Sequence, residues 1–268
     1  MTLEVQVREL VAGRAGTWGV YARNLGTDET VAIDADVVMP AQSSVKTCVL
    51  LTYEHGVDEG TVVPDRRVAL TVDDVVLGSG VLRYLSPGLE PTLNDLAWLM
   101  ITVSDNVATK TLIRELGGGD VVNAYMGRLG LPTAYIGRPW DDGGGDLELA
   151  SSARDLAELY THLGPRSREM LYRHQRLDLL PRHLPHDPDV SDHGLTAPVR
   201  VYGKSGWGAC EIVDAGRFET DTAAWVIAAM AKDLPDLWHR PDDTGPRTLA
   251  DIGAACWRAW GADAGDWH

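Results

Sequence analysis

Two kinds of hydrophobic pattern divide this chain, and their order along the sequence limits the folds that it can adopt. Residues 17–33 contain two strand patterns that a turn separates. From residue 44 to about residue 176, apolar residues recur at helical spacing, with Gly and Pro between the segments. After residue 198, three strand patterns follow one another, and an amphipathic segment at the C-terminal end predicts a closing helix.

This order predicts an α+β fold. We expect one antiparallel five-stranded sheet that both chain ends build, packed by the terminal helices, with a helical insertion between the two halves. The sheet subdomain then comprises residues 1–40 and 199–268, and the helical subdomain comprises residues 41–198. The expected active site is the cleft between these two subdomains.

Charge and composition exclude several classes of protein. The formal net charge of −15 argues against binding of nucleic acid or of an anionic membrane surface. No stretch reaches the ~18 apolar residues that span a bilayer. Charges from Glu4 onward interrupt the segment where a signal peptide would lie, which predicts a cytoplasmic protein; the alternative is a secreted protein whose signal peptide has been removed.

The cysteines give no sign of a metal or a disulfide. Cys48, Cys210 and Cys256 are odd in number, lack metal-type spacing and lie in apolar contexts. We therefore expect buried free thiols, no cofactor and no metal.

One short stretch places a hydroxyl and an amine three residues apart, at the head of the first long apolar segment. In Ser43-Ser44-Val45-Lys46, residues at positions i and i+3 share one face of a helix. Backbone N–H groups at a helix start favour developing negative charge, and a serine beside an amine can act as a nucleophile. The motif alone is also compatible with chance.

The chain uses lysine sparingly. Of 24 basic residues only four are lysine, namely Lys46, Lys110, Lys204 and Lys232. Lysine differs from arginine in that its amine can lose the proton, so a lysine in an arginine-rich sequence indicates a position where a neutral amine is useful. The alternative is that the lysine positions are random.

Two further triplets accompany the first motif. Ser104-Asp105-Asn106 lies at a predicted helix–helix junction, and Lys204-Ser205-Gly206 lies at the end of a predicted strand. Each triplet alone is explained equally well as a helix cap or a turn. Together, in this order, they resemble the three motifs of the serine β-lactamases and penicillin-binding proteins, with spacings close to those of the class A β-lactamases.

The resemblance implies a fold and a set of roles. The fold would be that of β-lactamases and transpeptidases. Ser43 would attack a carbonyl, Lys46 would serve as the base, Ser104 would relay a proton to the leaving group, and Lys204 would complete the catalytic set. The substrate-binding residues would be Asn106, Ser205, Gly206 and Trp207. The backbone N–H groups of Ser43 and Trp207 would form an oxyanion hole, and Lys204 with Ser205 would hold a substrate carboxylate.

One part of the class A pattern is missing. Those enzymes carry a Glu-x-x-Asn in a loop that activates the deacylating water, and no such motif occurs in residues 138–148. Trp140 falls about where the glutamate would stand. Asp141 and Asp142 are the nearest candidates for a deacylation base; the alternative is that both are solvent-exposed residues of a loop. Glu148 is predicted to belong to the start of the next helix.

Three functions therefore stay open at this point. The first is a class A β-lactamase-like serine hydrolase that forms an acyl-enzyme on Ser43 with a β-lactam, amide or ester. The second uses the same acyl-enzyme as an intracellular acyltransferase or amidase of small-molecule biosynthesis, or as a penicillin-binding protein that deacylates slowly. The third is a non-catalytic binding protein. The expected partner is a small acyl substrate that bears a carboxylate, and the expected state is a monomer.

Overall fold

The computed structural model describes residues 1–86, 88–137, 149–235 and 240–261. Within these ranges the strands are β1 (Thr17–Asn24), β2 (Thr30–Ile33), β3 (Met39–Pro40), β4 (Tyr135–Ile136), β5 (Leu149–Ser151), β6 (Arg200–Trp207), β7 (Ile212–Glu219) and β8 (Ala224–Lys232). The α-helices there are α1 (Leu3–Val11), α2 (Lys46–Asp58), α3 (Leu93–Thr102), α4 (Asn106–Glu115), α5 (Gly119–Arg128), α6 (Ala153–Glu158), α7 (Pro165–Tyr172) and α8 (Thr244–Trp260). None of these helices is long and apolar enough to cross a membrane.

A five-stranded antiparallel sheet organises the molecule, with the strand order β2-β1-β8-β7-β6. Strands from both chain ends lie side by side in it, which confirms the predicted α+β fold. Alternate residues of β8 enter two separate cores. Trp225 and Ile227 pack with α1 and α8, whereas Val226 and Met230 pack against the helical part. Because both faces of the sheet are covered, β8 is a continuous apolar run rather than an alternating one.

Helix α2 lies at the centre of the helical part, and most of its residues are buried on every side. The sequence predicts a helix over residues 44–56. The structure instead forms a 3-10 turn at Gln42–Val45 and begins α2 at Lys46. The helix also continues past Gly56 to Asp58, because Gly56 packs against the Val62 side chain and provides no stop.

The predicted capping box at the start of α3 is present. The Thr92 hydroxyl accepts from the Asp95 N–H at 3.0 Å, and the Asp95 carboxylate accepts from the Thr92 N–H at 2.9 Å. The Ser152 hydroxyl caps α6 in the same way and accepts from the Asp155 N–H at 3.1 Å. These local signals fix the helix starts on either side of the site.

Two expectations were wrong in detail. The prolines and the glycine run in residues 131–146 predict a loop, yet Tyr135–Ile136 form strand β4, which joins β3 and β5 in a second, three-stranded sheet. A two-residue strand is too short to show a hydrophobic period. Cys210 was expected to be buried but is partly exposed in the turn between β6 and β7. Cys48 and Cys256 are buried as expected, and burial raises the pKa of each of these two thiols to about 12.

Candidate active site

Ser43 lies on the 3-10 turn directly before α2. Gln42 takes a left-handed conformation with φ of 50°, and the backbone N–H of Lys46 donates to the carbonyl of Ser43. Side chains at positions i and i+3 of a 3-10 turn are nearly eclipsed, so Ser43 and Lys46 leave the backbone on one side. Within the part of the chain that the structure describes, the Ser43 hydroxyl makes no hydrogen bond of its own to the lysine.

The Lys46 amine is buried and lies between the two ends of the Ser104-Asp105-Asn106 triplet. Its Nζ is 2.7 Å from the carbonyl oxygen of Ser104, 3.0 Å from the Ser104 hydroxyl and 2.7 Å from Oδ1 of Asn106. Burial holds the pKa of Lys46 well below its usual value and the charge of Lys204 lowers it further, while Asp105 acts in the opposite direction. Burial and Lys204 thus both shift this amine towards its uncharged form.

The hydrogen-bond partners of Lys46 accommodate a neutral amine without rearrangement. A carbonyl oxygen and an amide oxygen can only accept, so they take the two N–H groups of the amine. The Ser104 hydroxyl is the one partner that can donate, and it can direct its proton to the lone pair of the nitrogen. Asn106 Nδ2 donates to the carbonyl of Leu77 at 2.9 Å, which directs Oδ1 towards the lysine.

The turn between α3 and α4 presents this triplet. Ser104 adopts a left-handed φ of 56°, which ends α3 and turns the chain into α4. The buried Asp105 carboxylate caps α4 through the Ala108 N–H at 2.9 Å and also accepts from the Val81 N–H at 2.6 Å. A Cβ at Gly80 would come within 2.3 Å of that carboxylate, so glycine allows the neighbouring loop to lie this close. Asp105 therefore connects the start of α4 to the loop at Val81.

Strand β6 runs directly against the Ser43 turn. A Cβ on Gly206 would lie 2.5 Å from the backbone nitrogen of Ser43 and 2.9 Å from that of Ser44, closer than any side chain permits. Glycine at this position is therefore what brings the sheet edge to the nucleophile. Trp207 is the next residue of the strand, so its backbone lies beside Ser43, where the resemblance places an oxyanion hole.

Lys204 is buried in β6 near charged groups from other parts of the chain. Its Nζ donates to the carbonyl of Ser205 at 2.8 Å. Burial lowers the pKa of Lys204 to about 7, with Asp214 raising it and Arg176 lowering it. Asp214 lies opposite Ser205 in the register of β6 and β7, and burial raises the pKa of its carboxyl to about 7. Both groups therefore change charge near neutral pH.

The structure brings two residues to this site that no motif indicated. His174 is buried, and its Nε2 is 3.4 Å from the Ser205 hydroxyl. Burial, Lys204 and Arg176 hold the pKa of His174 well below its usual value, so the ring is neutral. The Arg176 guanidinium lies 4.2 Å from the centre of the Trp207 ring and pairs with Asp178 at 3.0 Å.

Two clefts meet at Trp207, which lines both. The first, here called the serine cleft, has a volume of about 680 Å³ and is lined among others by Ser43, Ser79, Asn106, Leu149, Trp207 and Glu211. The second, here called the arginine cleft, has a volume of about 910 Å³ and is lined among others by Ser104, Arg176, Asp178, Arg182, Trp207 and Arg240. Ser43 thus opens to the serine cleft and Ser104 to the arginine cleft.

The candidate deacylation residues lie outside the described residues. Trp140, Asp141, Asp142 and Glu148 all belong to residues 138–148. The acylation residues, in contrast, are all described: Lys46, Ser104 and Asn106 share one hydrogen-bonded group, and Gly206 adjoins Ser43.

The motifs, the fold and this geometry agree with the known proteins that the chain matches. A model of the β-lactamase enzyme family matches residues 2–260. A β-lactamase of Streptomyces albus G is 32% identical over 117 residues, which are 42% of this chain and 37% of that protein. The match therefore spans less than half the length of that curated relative.

Solved structures match over nearly the full length. A mutant of PBP-A, solved as an acyl-enzyme complex with penicillin G, has 27% sequence identity and a TM-score of 0.82, covering 96% of this chain and 95% of that chain. A β-lactamase from Sphaerobacter thermophilus also has 27% identity and a TM-score of 0.82, covering 96% of each chain. Both confirm the resemblance drawn from the three motifs.

Proposed function

The chain belongs to the β-lactamase enzyme family, and we propose that it is a serine hydrolase that forms an acyl-enzyme on Ser43. The observation that carries the proposal is the buried amine of Lys46, which Ser104 and Asn106 hold beside the Ser43 turn, and whose pKa burial holds well below its usual value. A structural lysine at the surface would keep its charge. A general base needs the neutral form at working pH.

In the acylation step the Ser43 oxygen attacks the substrate carbonyl while its proton passes to the Lys46 nitrogen. The amine exchanges one of its present partners for the Ser43 hydroxyl when substrate arrives. As the tetrahedral intermediate collapses, the bond from the carbonyl carbon to the leaving nitrogen or oxygen breaks. The Ser104 hydroxyl donates its proton to that leaving atom and takes one from the Lys46 ammonium, which returns the amine to its neutral form.

The proposed oxyanion hole consists of the backbone N–H groups of Ser43 and Trp207. The close approach that Gly206 allows supports this pairing, since it places the strand end beside the turn. Loss of one such donor typically costs about 2.7–4 kcal/mol of transition-state stabilisation. The proposed substrate carries a carboxylate, which Lys204 and Ser205 would attract.

A second candidate is favoured by the sequence of residues 138–148, which lacks the Glu-x-x-Asn of class A β-lactamases. Without that base, attack of water on the ester would be slow. The chain would then act as a penicillin-binding protein, or it would pass the acyl group to a nucleophile other than water. Both candidates share the acyl-enzyme and differ only in its fate.

Intact mass and turnover distinguish these candidates. The protein is mixed with penicillin G and with a chromogenic cephalosporin, and its mass is followed over time. Rapid turnover with a transient adduct supports the β-lactamase-like hydrolase, and an adduct that persists supports the second candidate. Ser43→Ala should abolish the adduct, whereas Ser79→Ala, a matched change in the same cleft, should retain it. Labelling that survives Ser43→Ala would refute the proposal.

A further inference from the structure

The two clefts differ sharply in charge. Among the described residues that line the arginine cleft, Arg176, Arg182 and Arg240 stand against one carboxylate, Asp178. The described lining of the serine cleft contains one carboxylate, Glu211, and no lysine or arginine. Although the net charge of the chain is −15, three arginine side chains lie on one side of its proposed nucleophile. Such a cleft concentrates anions near the reacting group.

The position of Ser104 identifies which part of the substrate enters each cleft. Ser104 lines the arginine cleft and, under the proposed function, protonates the leaving atom. Asn106 and Ser43 line the serine cleft, which therefore faces the acyl part. The positive charge lies on the side of the leaving group.

The three guanidinium groups are not equivalent. Arg176 is held by Asp178 and by the Trp207 ring, and Arg182 pairs with Asp242 at 3.0 Å. The Arg240 side chain is exposed, and within the described residues its guanidinium has no hydrogen bond or ion pair. Arg176 and Arg182 each have a carboxylate partner, whereas the positive charge of Arg240 has none among the described residues.

We propose that the arginine cleft binds a leaving group that carries two anionic groups, the second of them facing Arg240 and Arg182. This inference rests on the proposed function of Ser43 and extends it to the substrate class, an acyl compound whose leaving group is a dicarboxylate. A volume of about 910 Å³ accommodates a leaving group of that size. Guanidinium groups bind carboxylates through paired hydrogen bonds, which suits arginine to this position.

Two matched thioesters test the inference. One is an N-acylglycyl thioester of mercaptoacetate, and the other is the same thioester of mercaptosuccinate, prepared as separate enantiomers. In both, the bond between Ser43 and the acyl carbon forms and the carbon–sulfur bond breaks. The proton of Ser43 passes through Lys46 and Ser104 to the sulfur, and the thiol leaves into the arginine cleft. The loss of thioester absorbance is followed directly, because the partly exposed Cys210 would react with a thiol reagent. Each kcat/KM is divided by the uncatalysed hydrolysis rate of the same ester.

We expect kcat/KM to be about tenfold higher for one mercaptosuccinate enantiomer than for the mercaptoacetate ester, and this ratio to shrink in added salt. Arg240→Gln should bring the ratio close to one. Arg8→Gln changes the net charge equally on the exposed face of α1, where Arg8 pairs with Glu4, and should leave the ratio unchanged. Melting temperatures establish that each variant is folded.

Equal normalised values for the two esters in the parent protein would overturn the inference and leave the proposed function standing. A ratio that persists in both Arg240→Gln and Arg182→Gln would overturn it as well. If neither ester acylates Ser43, the proposed function fails, and the inference fails with it.

Discussion

Lys46 and Lys204 are both buried and both belong to the recognised motifs, but their hydrogen-bond partners and neighbouring charges differ. The Lys46 amine is surrounded by uncharged oxygen atoms of Ser104 and Asn106. Lys204 lies within the electrostatic reach of Asp214 and Arg176. Burial lowers the pKa of Lys46 and favours the neutral form that a base needs, whereas an amine that titrates near pH 7 can take up a proton when an anion arrives.

The largest effect is expected from removing the base at the first site. Lys46→Arg keeps a cation of similar length that cannot lose its proton, so acylation by penicillin G should fall about 1000-fold. Lys110→Arg, a change at a partly exposed position of α4, serves as the matched control. Stopped-flow measurement compares the acylation rates of the parent protein and the two variants. A loss of less than about tenfold in Lys46→Arg would show that another group is the base.

A smaller loss is expected from placing a charge beside Lys46. Asn106→Asp puts a carboxylate where Oδ1 now lies 2.7 Å from the amine, which stabilises the ammonium and raises the pKa of Lys46. Acylation at pH 7 should fall about 100-fold and recover as pH rises, because the amine then deprotonates again. Asn24→Asp, on β1, is the control. Acylation that stays low at every pH would mean that Asn106 acts only in substrate binding.

The smallest of these effects concerns the charge of Lys204. Its protonated form, which attracts a carboxylate, exists below its pKa of about 7 and is lost as pH rises through that value. For a substrate with a carboxylate, kcat/KM should therefore fall about tenfold for each pH unit above 7. This decline should be absent in Lys204→Arg and for an ester without a carboxylate. If kcat/KM still falls above pH 7 in Lys204→Arg, the titration of another group causes the fall.

The candidate acylation residues could be located because their motifs are local in sequence and together resemble those of a known family. Ser43 and Lys46 lie within one turn, Ser104 and Asn106 flank one helix cap, and Gly206 follows Lys204 on one strand. The strand alternation and helical periodicity that predicted a sheet from both chain ends with a helical insertion are local in the same way.

The surroundings of Lys204 could not be predicted, because tertiary packing alone brings them together. His174 and Arg176 follow α7 in a segment without a motif, and Asp214 lies on a different strand. The left-handed conformations of Gln42 and Ser104 were missed for a related reason. Neither residue is glycine, so the sequence does not signal a positive φ at either position. Such a conformation persists in other residues only where the surrounding structure holds it.

The protonation of the two lysines is the central claim, and NMR can measure it directly. The chain contains four lysines, so labelling Cε with ¹³C gives four signals, which Lys46→Arg and Lys204→Arg assign. We predict that Lys46 shows the shift of a neutral amine at pH 7 and that Lys204 titrates with a midpoint of about 7. If both side chains are fully protonated from pH 6 to pH 9, the account of Lys46 as the base is contradicted.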